Sequence, residues 1–252
     1  MKNPRSSRTV LAIIFVIGVI ATLGLSQFYT AVIVPAFAPP PTLDQLYTRA
    51  IEDAMIAQPN EISNNLTPIL ENNTNLVWQG SGENASVLMV TWTKHTESYP
   101  VGQNATTSWG DTWVTAAPEI QVFFRDHVAS DANLTLRAAE LLGLPANTTN
   151  TYFVEFWVKP QDMFRPTPDN EINDTTAQLT FPASASADYK AWFNNNIIYS
   201  YYPMKYPWTR LGYTYDWGSN NHVGLSEFIV KQNSTVTVKS ITPTAEYLQS
   251  HP

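Results

Sequence analysis

The chain has 252 residues, a formal charge of −7 and no cysteine. An acidic, cysteine-free chain of this size excludes a disulfide-stapled miniature fold, a Cys-based zinc site and thiolate catalysis, and it makes nucleic acid a poor partner. Stability has to come from a packed core instead, for which 8 Trp, 12 Tyr and 11 Phe are available.

From the N-terminus, the first organised stretch is Val10 to Val34, inside an interval without charge between Arg8 and Asp44. As an α-helix this run would be about 37 Å long, enough to span a hydrocarbon core of roughly 30 Å with some tilt. Lys2, Arg5 and Arg8 precede it, so the N-terminus is expected to stay in the cytoplasm. Pro35 and Pro39-Pro40-Pro41 stop the helix. The expected organisation is a cytoplasmic tail over 1–8, a transmembrane helix over 9–35 held in the lipid bilayer, and one extracytoplasmic domain over 36–252. That describes a single-pass, signal-anchored protein of the cell membrane. The competing reading is a cleaved signal peptide with Ala36-Phe37-Ala38 as the cleavage site. Against it stand an apolar run about twice the usual length for such a segment and Pro39 directly after the site. The eleven basic and twenty-one acidic residues beyond Arg8 leave the outer domain at −10.

Thr42 reads as a helix N-cap, with Gln45 completing a capping box, and Leu43, Leu46, Tyr47, Ala50, Ile51 and Ala54 follow at helical spacing. Gln58–Asn75 is polar and reads as a loop with one helical turn. Leu76–Gln79 and Ser86–Thr93 flank a Gly-rich turn as a hairpin, and the second strand is apolar on both faces, as a central strand should be. Lys94–Gly110 reads as a loop and Asp111–Ala116 as a short strand. Pro118 starts a helix carrying Ile120, Phe123, Phe124 and Val128; another spans Leu134–Leu142 and stops at Gly143 and Pro145. Thr151–Val158 predicts an inner strand, Ala177–Phe181 a short one, and Asp188–Asn194 a helix. Ser200–Pro207 is irregular, Arg210–Tyr215 alternates as a strand, and Leu225–Lys231 and Thr235–Ile241 read as a closing hairpin around Gln232-Asn233-Ser234. A short helix follows Thr242-Pro243. The sum is an α+β domain with a mostly antiparallel sheet and several short helices.

Eight Asn-x-Ser/Thr sequons occur, at Asn65, Asn72, Asn84, Asn104, Asn133, Asn147, Asn173 and Asn233. This is about twice the number that chance would place in such a composition, and the motif is the acceptor for N-linked glycans on exported surfaces. The expected product is a glycoprotein; an Asn- and Thr-rich chain without glycans is the alternative.

Two stretches combine rings, prolines and charge: Pro160–Asp169, containing Phe164-Arg165-Pro166-Thr167-Pro168-Asp169, and Tyr206–Gly218, containing Pro207-Trp208-Thr209-Arg210-Leu211-Gly212-Tyr213-Thr214-Tyr215-Asp216-Trp217-Gly218. With Thr91–His95 and Arg125–His127, they resemble a group of uncharacterised exported or membrane-anchored bacterial and archaeal proteins. The resemblance covers the C-terminal two-thirds of the chain. No activity is attached to that group, so it implies no catalytic residues.

The standard signatures of serine hydrolases, nucleotide binders and zinc peptidases are absent. His95, His127, His222 and His251 share no ligand-like spacing, and a metal site would need distant segments, for instance His95, His222 and Asp111. No metal or other cofactor is assigned. Candidate acids for glycoside hydrolysis are Glu97, Asp111, Glu119, Asp162, Asp216 and Glu227. The leading expectation is a binding or envelope-interaction module for a glycan, peptide or protein. Its ligand-binding surface would gather Asp162, Phe164, Arg165, Trp208, Arg210, Tyr213 and Asp216 into one concavity, where rings stack and arginines bond a ligand. The alternative for these residues is a buried strut with each Arg paired to an Asp. The alternative function is an extracytoplasmic glycan hydrolase using paired carboxylates.

Overall fold

Ser-Val-Leu-Met-Val-Thr-Trp-Thr, residues Ser86–Thr93, is the spine of the fold. Its β-branched and aromatic residues suit a pleated backbone, and the period of two sends Val87 and Met89 to one face and Leu88, Val90 and Trp92 to the other. Both faces are buried. The structure, a computed structural model, describes residues 39–202 and 204–250; the expected membrane span over 9–35 lies outside them. Among the described residues no helix is long and apolar enough to cross a membrane. The elements below belong to the compact unit Leu43–Pro252.

In chain order this unit contains α1 (Leu43–Ala54), β1 (Trp78–Gln79), β2 (Ser86–Thr93), β3 (Asn104–Thr106), β4 (Thr112–Ala116), α2 (Ala117–His127), α3 (Leu134–Leu141), β5 (Tyr152–Val158), β6 (Met163–Phe164), α4 (Ala187–Tyr201), β7 (Tyr213–Tyr215), β8 (Val223–Ser226), β9 (Phe228–Val230), β10 (Thr235–Pro243) and α5 (Thr244–Gln249). It is an α+β unit. The main sheet runs β3-β10-β5-β2-β4-β9-β6, with β1 also on β2, and β7 and β8 form a separate ribbon. All of these pairings are antiparallel.

β2 and β5 pair from Val87↔Val158 to Thr93↔Tyr152. On one face Val87, Met89, Val154, Phe156 and Val158 pack with Phe228, Val236 and Val238, under loop residues Ile69, Leu76 and Tyr99. On the other, Leu88, Val90, Trp92 and Phe153 pack under Ile120 and Phe124 of α2, Ala138 and Leu141 of α3, and Tyr247 and Leu248 of α5. A third cluster joins Tyr47, Ala50 and Ile51 of α1 to Phe193 and Tyr201 of α4 and to Trp208, Tyr215 and Trp217.

Several sequence expectations are corrected. Lys94–Gly110 contains β3, whose Asn-Ala-Thr pairs with Thr235–Thr237 although it carries no apolar pattern of its own. Ala177–Phe181 is irregular, and the helix expected over Asp188–Asn194 runs on to Tyr201, because packing of Phe193 and Tyr201 outweighs the low helix propensity of Asn194–Asn196. Arg210–Tyr215 is a strand only from Tyr213, since Arg210 (φ 60°) and Gly212 (φ 79°) lie in the left-handed region. Leu225–Lys231 is two strands with Glu227 between them.

The expected closing hairpin does not form. β9 pairs with β4 and β6, whereas β10 pairs with β3 and β5. Gln232–Ser234 is a crossing turn held by buried Thr107: Asn233 N–H donates to Thr107 O at 3.1 Å and Ser234 N–H to Thr107 Oγ1 at 2.9 Å.

Candidate functional site

β2 and β4 pair only at Met89↔Ala116 and Val90↔Thr115. Beyond that point they part. Thr91–Thr93 stay with β5, while Thr112–Val114 pair with β9. In the fork lies a cavity of about 480 Å³, lined by both strand ends, by Leu142–Leu144 after α3, by the last turns of α4 and by the Tyr206–Thr209 segment. This volume is in the range of pockets that enclose small molecules, roughly 300–1,000 Å³.

Its walls are ring-rich, with Trp92, Trp113, Tyr206, Trp208, Tyr213 and Tyr215 among the lining residues. Trp113 meets Trp208 edge-on at 6.0 Å, and Trp208 in turn packs on Trp192 at 6.2 Å and Phe193 at 4.8 Å. This packing fixes the ring positions. Among the described residues, eight buried side-chain polar atoms find no hydrogen-bond partner within the protein, and three of them line this one cavity: Trp208 Nε1, Asn196 Nδ2 and Glu227 Oε2. Native proteins rarely leave such groups unmet, because each costs about 1–3 kcal/mol. Burial holds the Glu227 carboxyl well above the ordinary carboxylate range, which favours the neutral form, able both to donate and to accept. Asp111, at the exposed rim, accepts from Trp192 Nε1 and from the Gln232 N–H, both at 2.8 Å.

No protein-family model, curated protein or solved structure matches the chain.

Of the seven residues that the sequence singled out, Trp208 and Tyr213 line the cavity. The others lie elsewhere. Arg165 is fully buried, ion-paired to Asp174, and donates to Thr67 O at 3.1 Å, Asp174 O at 2.9 Å and Thr176 O at 3.2 Å. Phe164 is buried beside Tyr189 and Trp192. Arg210 is half-buried over the Tyr201 ring and donates to Ala54 O and Met55 O, the end of α1, where a cation is favoured. Asp216 is buried and takes both guanidinium nitrogens of Arg137, at 2.8 and 2.5 Å. Asp162 is half-buried, and its carbonyl accepts from the Lys231 N–H. The two ring-rich stretches do meet, at Gly212, where an added Cβ would stand 2.7 Å from Arg165 Cδ. That contact belongs to the packed interior, not to an open surface.

The histidines separate, and of the six candidate acids Asp111 and Glu227 border the cavity while the others do not. His95 is exposed beside Glu97 and His222 stacks on Tyr215; neither is brought to Asp111. Glu119 bonds Thr67 Oγ1, and burial pushes it up to about 7. Asn196 is the cavity residue that nothing in the sequence marked. Glu227 had a legible signal, an acid interrupting an apolar run. All eight sequon asparagines are exposed, which meets the steric condition for glycan attachment.

Proposed function

We propose that the outer domain is a membrane-tethered binding module whose fork cavity takes a neutral, ring-bearing polyhydroxyl ligand of glycan type. The observation that carries this reading is the convergence of Trp208 Nε1, Asn196 Nδ2 and Glu227 Oε2, buried and unpartnered, on one aromatic-walled cavity. Two donors and a neutral carboxyl match hydroxyls, which donate and accept, and flat aromatic faces match the apolar face of a sugar ring. Among the described residues no cationic side chain lines the cavity, which disfavours phosphorylated or carboxylated ligands. The exposed sequons support a glycosylated surface protein, and the uncharged run before Thr42 supports the tether.

The full chain in detergent, titrated with a panel of mono- and disaccharides, should show saturable change in tryptophan fluorescence, since four of its tryptophans, Trp92, Trp109, Trp113 and Trp208, line the cavity. Asn196→Ala and Trp208→Phe each remove one donor, and each is expected to weaken binding about tenfold. No saturable response to any sugar, or wild-type affinity in both variants, would sink the reading. A second reading, glycan hydrolysis, is favoured by one observation: Glu227, held in its acid form, and Asp111 border the same cavity. Product formation that disappears in Glu227→Gln and Asp111→Asn would move the assignment to the enzyme. The tether has its own check. Protease added to intact cells should remove the domain, and a freely soluble mature chain starting at Pro39 would rule the tether out.

A further inference from the structure

A second set of unmet polar atoms lies away from the cavity, on the segment between β6 and α4. Asp169, Glu171 and Asp174 each bring a carboxylate oxygen within 4.8 Å of the other two. Such clusters are common on acidic surfaces, and convergence alone carries little. What sets this one apart is Asp169, which is only 3% exposed. Its Oδ2 accepts from the Gln178 N–H at 3.0 Å, but its Oδ1 is shut off from solvent and has no donor within the protein. Thr167 Oγ1, on the same segment and fully buried, also has no partner. An anionic oxygen cannot be left dry and alone in a protein at neutral pH without large cost.

The segment is fixed although it has no helix or strand of its own. Leu66 N–H donates to Thr175 O at 2.9 Å, Ile69 N–H to Ile172 O at 2.7 Å, and the Tyr189 hydroxyl to Thr167 O at 2.5 Å. Arg165 is the cation within reach; it pairs with Asp174 and feels the fields of Asp169 and Glu171. Three carboxylates against one guanidinium leave two negative charges. A divalent cation balances them.

We propose that Asp169, Glu171 and Asp174 hold a calcium ion. Oxygen ligands at about 2.3–2.6 Å from Ca²⁺ can stand up to about 5 Å apart across the ion, and calcium tolerates an irregular set of carboxylates. Magnesium requires a tighter octahedron and keeps its waters. Water can complete the shell. Glu171 is exposed and Asp174 half-buried, which gives the ion a way in.

The test uses the full chain in detergent, stripped with a chelator and then titrated with CaCl2, MgCl2 or TbCl3. Calcium at about 100 times its Kd should raise Tm by roughly 5–10 °C, and magnesium at equal concentration by much less. Terbium should show luminescence excited through Tyr189, whose hydroxyl reaches the segment, and through Trp192, stacked on it at 5.5 Å; calcium should quench it by displacement. Glu171→Gln changes an exposed side chain and should fold normally while weakening calcium at least tenfold. Asp169→Asn should abolish the calcium-dependent rise. A stripped wild type that gains nothing from calcium and binds no terbium overturns the proposal, as does calcium binding left unchanged in Glu171→Gln.

Discussion

Arg165→Ala is expected to destabilise the domain by about 3–5 kcal/mol, the range for removing one partner of a buried ion pair. Three costs add. The fully buried side chain leaves a void beside Gly212, against which its methylenes pack. Three backbone carbonyls, those of Thr67, Asp174 and Thr176, lose their donor. The Asp174 carboxylate loses its partner, although at 33% exposure it can partly recover water. Lysine keeps the charge but not the planar fork that reaches several acceptors at once, so Arg165→Lys should recover only part of the loss. Arg210→Ala provides the contrast. Arg210 is half-buried and donates to carbonyls at the end of α1, so about 1–2 kcal/mol is expected there. Urea unfolding of the three variants in constant calcium checks this order. An Arg165→Ala protein within about 1 kcal/mol of wild type would show that the residue is not a strut.

The same arginine shows where sequence reading stops. A buried strut and a ligand-binding residue both want a carboxylate and carbonyl oxygens around a guanidinium, so Phe164-Arg165-Pro166 looks alike in either role. Only the burial of Arg165 and its bonds to Thr67, 98 residues away, separate the two. Strands followed the same rule. β2 was legible to the residue because its apolar residues fill both faces, a pattern carried by the segment itself. β3 was not, because Asn-Ala-Thr becomes a strand through β10, more than a hundred residues later. Asn233, at φ 64°, has the backbone of a hairpin turn, yet turn chemistry does not choose the next partner. The distant grip of Thr107 does. The cavity was least legible of all, since it exists where β2 and β4 part, and a fork is a property of two strands. Its acid, Glu227, was already among the candidate acids, and a carboxylate inside the apolar run Leu225–Lys231 is either paired or waiting for a ligand.

The domain is expected to be more stable near pH 5 than near pH 8, the reverse of a fold held mainly by exposed carboxylate pairs. Burial raises Glu119 from an ordinary value of 4.5 to about 7, against opposing hydrogen bonds from Thr67 and the Ser226 backbone. Burial raises Glu227 well above the same starting point. Between the unfolded and folded values, the native state holds a proton that the unfolded chain releases, so stability falls as pH rises through that window. Below about pH 4.5 both states are protonated and the contribution is complete. For Glu119 the window closes just above pH 7, with a loss on the order of 3 kcal/mol at about 1.4 kcal/mol per pH unit. Glu227 adds a loss of the same sign over a window that begins at the same point and ends higher. Exposed Asp126 and Glu97, whose values are lowered by Arg125 and by local hydrogen bonds, act in the opposite sense but titrate below pH 5 and so outside the comparison. Glu119→Gln keeps an oxygen for the Thr67 hydroxyl and removes the proton, so it should flatten the curve between pH 5 and 7 while raising stability at pH 8. Glu227→Gln should flatten the more alkaline part. Urea unfolding at pH 5, 6, 7 and 8 measures all three proteins. A wild-type curve that is level or rises over this range, or a Glu119→Gln curve with the slope of wild type, would mean that these carboxyls are not held in their neutral form by the fold, and Glu227 would lose its role as a donor in the cavity.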